Sequence, residues 1–175
     1  VARLRGQNEV LQNSVDTLTK QQKDYYADLD ARLKKFEPQQ ATVEGREGTV
    51  QPGEKDEYDA ALKRFQGGDF KGAGNQFSAF VKKYPQSPYL PLAHFWLGNA
   101  LYAQRDYKGS SYVLESMARA NPQHPKAADA LLQVATNQGE SGQKAAARKT
   151  LEAVVAQYPG SEQAKTAESR LKTMR

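Results

Sequence analysis

The side chains with catalytic or metal-binding potential are few and stand apart in the sequence. Histidine can transfer protons or hold a metal ion, but His94 and His124 each lack a second histidine or a carboxylate at ligand spacing. The adjacent Ser110 and Ser111 could act as nucleophiles only beside a general base, and the sequence offers none at a recognisable spacing. These residues therefore predict no enzyme, no metal site and no cofactor.

A glycine-rich stretch from residue 67 to residue 74 raises the question of a phosphate-binding loop. It lacks the Lys-Ser or Lys-Thr ending of such a loop, and no strand is predicted before it. A turn at Gly67-Gly68, followed by a helix with Asp69 as its N-cap, explains the same residues. The stretch therefore predicts a helix boundary and not a nucleotide site.

The composition narrows the class of protein. The chain has 175 residues, no cysteine, a net charge of +5 and only 38% hydrophobic residues. No run approaches the roughly 20 apolar residues of a membrane-spanning helix, so membrane insertion is not expected. Basic residues never occur more than two in a row and are mixed with acids, which favours a solvated surface over nucleic-acid binding. The chain begins with Val1 rather than Met, so we expect it to have been processed or trimmed.

A unit recurs three times at an interval of 37 residues. Each copy closes with a proline, in Tyr84-Pro85, Asn121-Pro122 and Tyr158-Pro159. Small residues recur at two matching positions, where paired helices must approach closely. They are Ala61, Gly98 and Ala135 at the first position, and Ala73, Ser110 and Ala147 at the second. A period of this size, built from paired amphipathic helices, predicts an all-α helical solenoid.

The middle copy resembles a tetratricopeptide repeat. The residues that carry the resemblance are Leu97-Gly98, Tyr102, Tyr107, Ser110, Leu114, Met117 and Pro122. We expect a domain over 54–175 with repeats at about 54–87, 88–124 and 125–159, and a capping helix over 160–175. In such arrays the first helix of each pair lines a concave groove. That resemblance predicts a protein-binding groove lined by Tyr58, Leu62, Phe65, Phe95, Asn99, Tyr102, Leu132 and Thr136, with Trp96 facing the core.

Residues 1–36 follow a different, seven-residue period. The first and fourth heptad positions are filled by Val1, Leu4, Asn8, Leu11, Val15, Leu18, Gln22, Tyr25, Leu29, Arg32 and Phe36. This pattern predicts a coiled-coil oligomerisation helix. The polar layers leave dimer and trimer open, and a single helix folded back on the repeats is the alternative. Residues 37–53 contain glycine and proline with no periodicity, which predicts a flexible linker.

Three segments also resemble one family, that of the Tol-Pal system protein YbgF, also called the cell division coordinator CpoB. They are Tyr84-Pro-Gln-Ser-Pro-Tyr-Leu-Pro-Leu-Ala-His-Phe-Trp-Leu-Gly98, Asn121-Pro-Gln-His-Pro-Lys-Ala-Ala-Asp-Ala130 and Ala156-Gln-Tyr-Pro-Gly-Ser161. The resemblance implies a periplasmic homotrimer that binds TolA. It also implies a link to the peptidoglycan synthase machinery, through coordination of outer-membrane constriction with peptidoglycan synthesis during division.

Two other functions remain open on the sequence. One is a tetratricopeptide adaptor of another envelope assembly complex. The other is a non-specific nucleic-acid binder that uses the positive net charge, which would bind with a steep dependence on salt concentration.

Overall fold

The computed structural model describes residues 2–174, so the oligomerisation position predicted at Val1 lies outside the described residues. The chain forms two compact units, Val1–Pro38 and Gln39–Arg175. The predicted all-α class, with a long N-terminal helix and a solenoid of paired helices, is confirmed. None of the described helices is both long and apolar enough to cross a bilayer.

The first unit is one long helix. Helix α1 spans Ala2–Leu33 and continues as a 3₁₀ turn over Lys34–Phe36. None of its described residues is buried. Its exposed large apolar side chains include most of the predicted coiled-coil positions, namely Leu4, Leu11, Val15, Leu18, Tyr25, Leu29 and Phe36. Asn8 and Gln22 are exposed as well.

A β-hairpin replaces most of the flexible linker predicted over residues 37–53. Strand β1 (Gln39–Val43) pairs antiparallel with β2 (Arg46–Val50). The two-residue turn Glu44-Gly45 has φ values of 48° and 80°. A type I′ turn, whose backbone twist matches that of the two paired strands, requires a positive φ at both of its central residues. Glutamate is a poor residue for the first of these positions, so the turn lacks the residue pattern from which a hairpin is predicted.

The hairpin belongs to the same unit as the solenoid and packs on the loops between its repeats. Arg46 Nη1 donates to Asn121 Oδ1 across 3.1 Å. A Cβ added at Gly48 would lie 3.2 Å from the ring of Pro88, so the strand backbone passes directly over that proline. Beyond the hairpin, the buried Glu54 accepts hydrogen bonds from the backbone N–H of Gln51 and from the Ser87 hydroxyl.

The solenoid consists of three helix pairs and a final helix. Helices α2 (Glu54–Gln66) and α3 (Phe70–Lys83) form the first pair, α4 (Leu90–Ala103) and α5 (Tyr107–Ala120) the second. The third pair is α6 (Ala127–Glu140) and α7 (Lys144–Gln157), and α8 (Glu162–Thr173) follows. Each helix packs on the next along the chain, and α8 covers the third pair through contacts with α7 and α6.

The ends of the helices repeat at the 37-residue interval too. Asp69 and Asp106 each cap the second helix of a pair by accepting a bond from a backbone N–H three residues on. The residue before each terminal proline donates its backbone N–H to the residue four earlier, and its φ lies between −121° and −136°. Proline disfavours helical backbone in the residue before it, which ends each unit at the same place.

Small residues set the distance between helices, as predicted. Ala61, Ala73 and Ser110 are fully buried. A Cβ added at Gly98 would lie 2.4 Å from Leu114 Cγ, closer than non-bonded carbon atoms can approach. Helix α4 therefore contacts α5 at a position where only glycine fits, and Leu114, itself fully buried, fills the space that glycine leaves.

We predict that Gly98→Ala lowers the free energy of unfolding by about 1–3 kcal/mol, because Leu114 must leave its rotamer or α4 must move away. Gly139→Ala, in helix α6, is the matched control because an added Cβ there meets nothing within 4 Å. Urea unfolding of both variants measures the difference. Equal stability of the two variants would contradict close packing at Gly98.

Candidate protein-binding groove

The first helices of successive pairs form an inner layer. Helix α2 contacts α4, α4 contacts α6, and α6 contacts α8, in addition to their contacts along the chain. Residues 37 positions apart therefore fall into rows that run across this layer. One row contains Leu62, Asn99 and Thr136, and a second contains Phe65 and Tyr102. We call the surface of these helices that carries the two rows the inner face.

Six of the eight predicted groove residues are accessible. Their side chains are partly exposed on α2, α4 and α6, and they are Leu62, Phe65, Asn99, Tyr102, Leu132 and Thr136. Partial exposure on an inner helix is what a groove-lining residue requires, since a partner can cover the part that the fold leaves open. Contact with a partner remains a prediction for all six.

Tyr58 and Phe95, predicted to line the groove, are instead core residues. Tyr58 is 5% exposed, and its ring centroid lies 5.8 Å from Phe77 and 4.9 Å from Tyr89. Burial raises the pKa of its hydroxyl to about 12, although a hydrogen bond from Trp96 opposes the shift. The phenol is therefore neutral at ordinary pH, and its role is to pack α2 against its neighbours.

Phe95 is 9% exposed and packs into the core between the second and third pairs. Its neighbours there include Leu114 and Met117. Lys126 covers its remaining face, with Nζ 5.7 Å from the ring centroid. A cation over an aromatic ring is a favourable contact. Residues of this chain therefore cover the Phe95 ring and leave little of it for a partner.

Trp96, expected to face the core, is partly exposed and joins two aromatic neighbours. Its ring centroid lies 5.1 Å from Phe65 on α2 and 5.3 Å from Phe95 on its own helix. Successive helical residues differ by about 100° in direction, so the two aromatics meet different neighbours: Phe95 packs with residues of α5 and α6, and Trp96 lies against α2. The accessible pair Phe65 and Trp96, together with Leu62, is hereafter the aromatic patch.

Polar groups lie beside the aromatic patch on the inner helices. Asn99 Nδ2 donates to the carbonyl of Phe95 across 2.8 Å, and its Oδ1 accepts no hydrogen bond from the described residues. Thr136 Oγ1 donates to the carbonyl of Leu132 across 3.1 Å and accepts from Arg170 Nη1 across 2.9 Å. The amide oxygen of Asn99 is thus free to accept from a partner.

Both histidines make hydrogen bonds to backbone groups close to them in sequence. His94 Nδ1 lies 2.9 Å from the carbonyl of Leu90, and His124 Nδ1 accepts from the backbone N–H of Lys126. Burial lowers the pKa of both imidazoles, which keeps them neutral at pH 7. Across residues 2–174, no group of three or more histidine and carboxylate side chains is arranged to hold a metal.

Two family models match the chain over adjacent segments. Residues 1–43 match a model described as TolA binding protein trimerisation. Residues 51–175 match a model described as outer membrane lipoprotein.

Among curated proteins, the cell division coordinator CpoB of Pseudomonas putida (strain KT2440) is 31% identical over 131 residues, which are 61% of this chain and 49% of that protein. The chain thus spans about half the length of the curated relatives it matches.

Solved tetratricopeptide structures share the fold of the solenoid. The Yersinia enterocolitica type III secretion chaperone SycD, in complex with a peptide of the translocator YopD, matches with a TM-score of 0.57 at 18% identity, over 69% of this chain and 87% of that one. The second tetratricopeptide domain of human RPAP3, in complex with the HSP70 peptide SGPTIEEVD, also matches. Its TM-score is 0.55 at 18% identity, over 66% of this chain and 92% of that one. At these identities the likeness establishes the fold alone.

The outer membrane lipoprotein model covers more than half of the chain, so the chain belongs to that family. The trimerisation model over residues 1–43 and the similarity to CpoB further place it in the CpoB/YbgF family, which confirms the resemblance seen in its motifs.

Proposed function

We propose that the chain is a periplasmic protein-binding adaptor of the Tol-Pal system that binds TolA through the inner face of its solenoid. The observation that carries the proposal is the aromatic patch beside the free amide oxygen of Asn99. Aromatic side chains bury much apolar area with little loss of rotamer freedom, and a side-chain amide can pair with a peptide backbone. Such a surface suits a segment of another protein better than a small substrate.

TolA is the proposed partner because the family model that matches residues 1–43 is described by TolA binding. The similarity to a cell division coordinator supports the wider role. In that role the adaptor coordinates outer-membrane constriction with peptidoglycan synthesis and contacts the peptidoglycan synthase machinery. Neither activity requires a catalytic group in this chain.

Self-association through α1 is the second part of the proposal. The seven-residue pattern places its apolar side chains on one seam, and all of those that are described are exposed. A polar helix of this length is marginal in water without a partner along such a seam. The description of the matching model supports three strands rather than two. A trimer carries three grooves, which raises the avidity for a partner with several sites.

An adaptor of another outer-membrane assembly complex is the second candidate. The match of residues 51–175 to the outer membrane lipoprotein model favours it, because that match covers the whole solenoid. The two candidates share the groove and differ only in the partner. They are therefore separated by the choice of protein in a binding experiment.

The groove is tested by calorimetric titration of the full chain with TolA from the same organism, at low and high salt. We expect binding that survives high salt and weakens about tenfold in Leu62→Ala and in Asn99→Ala, since central interface residues have effects of this size. Tyr112→Ala is the matched control, because Tyr112 is 74% exposed on α5, outside the inner layer.

Three results would count against this assignment. Wild-type binding lost at high salt would favour charge-driven contact. Equal loss in Tyr112→Ala would remove the groove as the site. Absence of any TolA binding would favour the second candidate.

The coiled coil is tested by sedimentation equilibrium of the full chain. We expect a trimer for the wild type and dissociation in Leu11→Asp and Leu18→Asp, because a charge on the seam must be buried on assembly. Val10→Asp is the matched control, since Val10 is as exposed as Leu11 but lies outside the seam. A monomeric wild type, or equal dissociation in Val10→Asp, would contradict the proposed seam.

A further inference from the structure

We infer that a cavity at the α8 end of the solenoid binds a peptide carboxylate together with an aromatic side chain next to it. The cavity has a volume of about 610 Å³ and lies between α6, α7 and α8. None of its described lining residues belongs to the aromatic patch. The inference therefore goes beyond the proposed function and does not require TolA as the partner.

An aromatic pair lies beside the turn within each of the first two helix pairs. Phe65 on α2 and Phe70 on α3 form the first, with ring centroids 5.2 Å apart. Tyr102 on α4 and Tyr107 on α5, 37 positions later, form the second, with ring centroids 5.8 Å apart. Such ring contacts cover apolar surface of both helices at the point where the chain reverses.

Glycine and lysine replace that aromatic pair in the third copy. The equivalent positions are Gly139 on α6 and Lys144 on α7, and both line the cavity. A Cβ added at Gly139 would meet nothing within 4 Å. The floor of the cavity is formed by its buried lining residues, namely Ala135, Ala147 and Leu151. The third pair thus has an apolar space at the place that aromatic rings fill in the other two.

Basic side chains surround this apolar space. Lys144, Arg148 and Arg170 line the cavity. Glu140 is the one acid among the described lining residues. Arg148 already pairs with Glu152, with Nε 3.2 Å from Oε1. Lys144 and Arg170 form no ion pair with any described residue, so two cations are available to an anionic ligand.

Arg170 keeps donors for such a ligand. Its Nη1 donates to the neutral hydroxyl of Thr136 across 2.9 Å, and a guanidinium has five N–H donors in all. A carboxylate accepts paired bonds from a guanidinium, and charge-assisted bonds are about twice as strong as neutral ones. The carboxylate of the ligand binds these cations, and the ring beside it fills the space at Gly139. An acidic side chain and a free chain end both supply this group.

Peptides that differ in one group test the chemistry of the cavity. The probe is acetyl-GSGFEGSG-amide, which has one ring, one carboxylate and no free end. In acetyl-GSGFQGSG-amide the carboxylate is absent, and in acetyl-GSGAEGSG-amide the ring is absent. Binding to the ¹⁵N-labelled full chain is followed at the backbone amide of Gly139. We expect the probe to bind about tenfold more tightly than either of the others, because each of them loses one of the two contacts.

Variants of the full chain locate the site. Arg170→Gln removes the charge and keeps most of the side chain, and we expect it to weaken probe binding about tenfold. Gly139→Tyr restores the ring found in the second pair, and we expect it to abolish probe binding, measured at the amide of Arg170. Lys172→Gln is the matched control, because Lys172 is exposed on the same helix and does not line the cavity.

Three results would overturn the inference. They are equal binding of the three peptides, probe binding that is unchanged in folded Gly139→Tyr, and a loss in Lys172→Gln equal to that in Arg170→Gln. Urea unfolding shows whether each variant is folded. Should Gly139→Tyr fail to fold, Arg170→Gln and its control decide the question.

The source of the carboxylate is found with acetyl-GSGSGF, whose one carboxylate is its free C-terminus. Binding of this peptide or of the probe supports the inference, and the tighter of the two identifies the source. Failure of both to bind would overturn it. The proposed binding of TolA can fail independently, because its variants Leu62→Ala and Asn99→Ala lie outside the cavity.

Discussion

The close contact between α4 and α5 at Gly98 is the constraint on which the rest of the solenoid depends. Leu114 fills the space that the missing side chain leaves, and alanine serves the same purpose at the matching positions of the other pairs. Because each pair is held at one separation, its neighbours stack in register and their first helices meet in an inner layer. The aromatic patch exists only because α2 and α4 are fixed side by side in this way.

Periodicity in the sequence was sufficient to predict the helix pairs, and the reason is physical. Small residues and terminal prolines impose local requirements that recur every 37 residues in all three copies, and a capping aspartate recurs in the first two, so the pattern is visible in the sequence. The hairpin left no comparable signal. Its turn uses Glu44, an unusual residue for positive φ, and it is anchored by the contact of Arg46 with Asn121, 75 residues away.

The sequence alone could not predict which of two adjacent aromatic side chains stays accessible. Phe95 and Trp96 differ by one helical step, and both have apolar surroundings. Lys126, from the loop before α6, covers Phe95, while Trp96 is left partly open beside Phe65. Tyr58 is buried for a similar reason, since Tyr89 from the next loop stacks on it. Packing in the helical core buries both residues, and side chains from the loops between repeats add to that burial. Loops carry little periodic information.

The central claim is that a partner protein binds at the inner face, on the patch that contains Trp96. Its most direct test is the indole N–H resonance of this single tryptophan in a ¹⁵N-labelled full chain, followed while TolA is added. We expect the resonance to shift or broaden together with the amides of α2 and α4. An unchanged indole resonance, with shifts confined to the outer helices α3, α5 and α7, would contradict the claim.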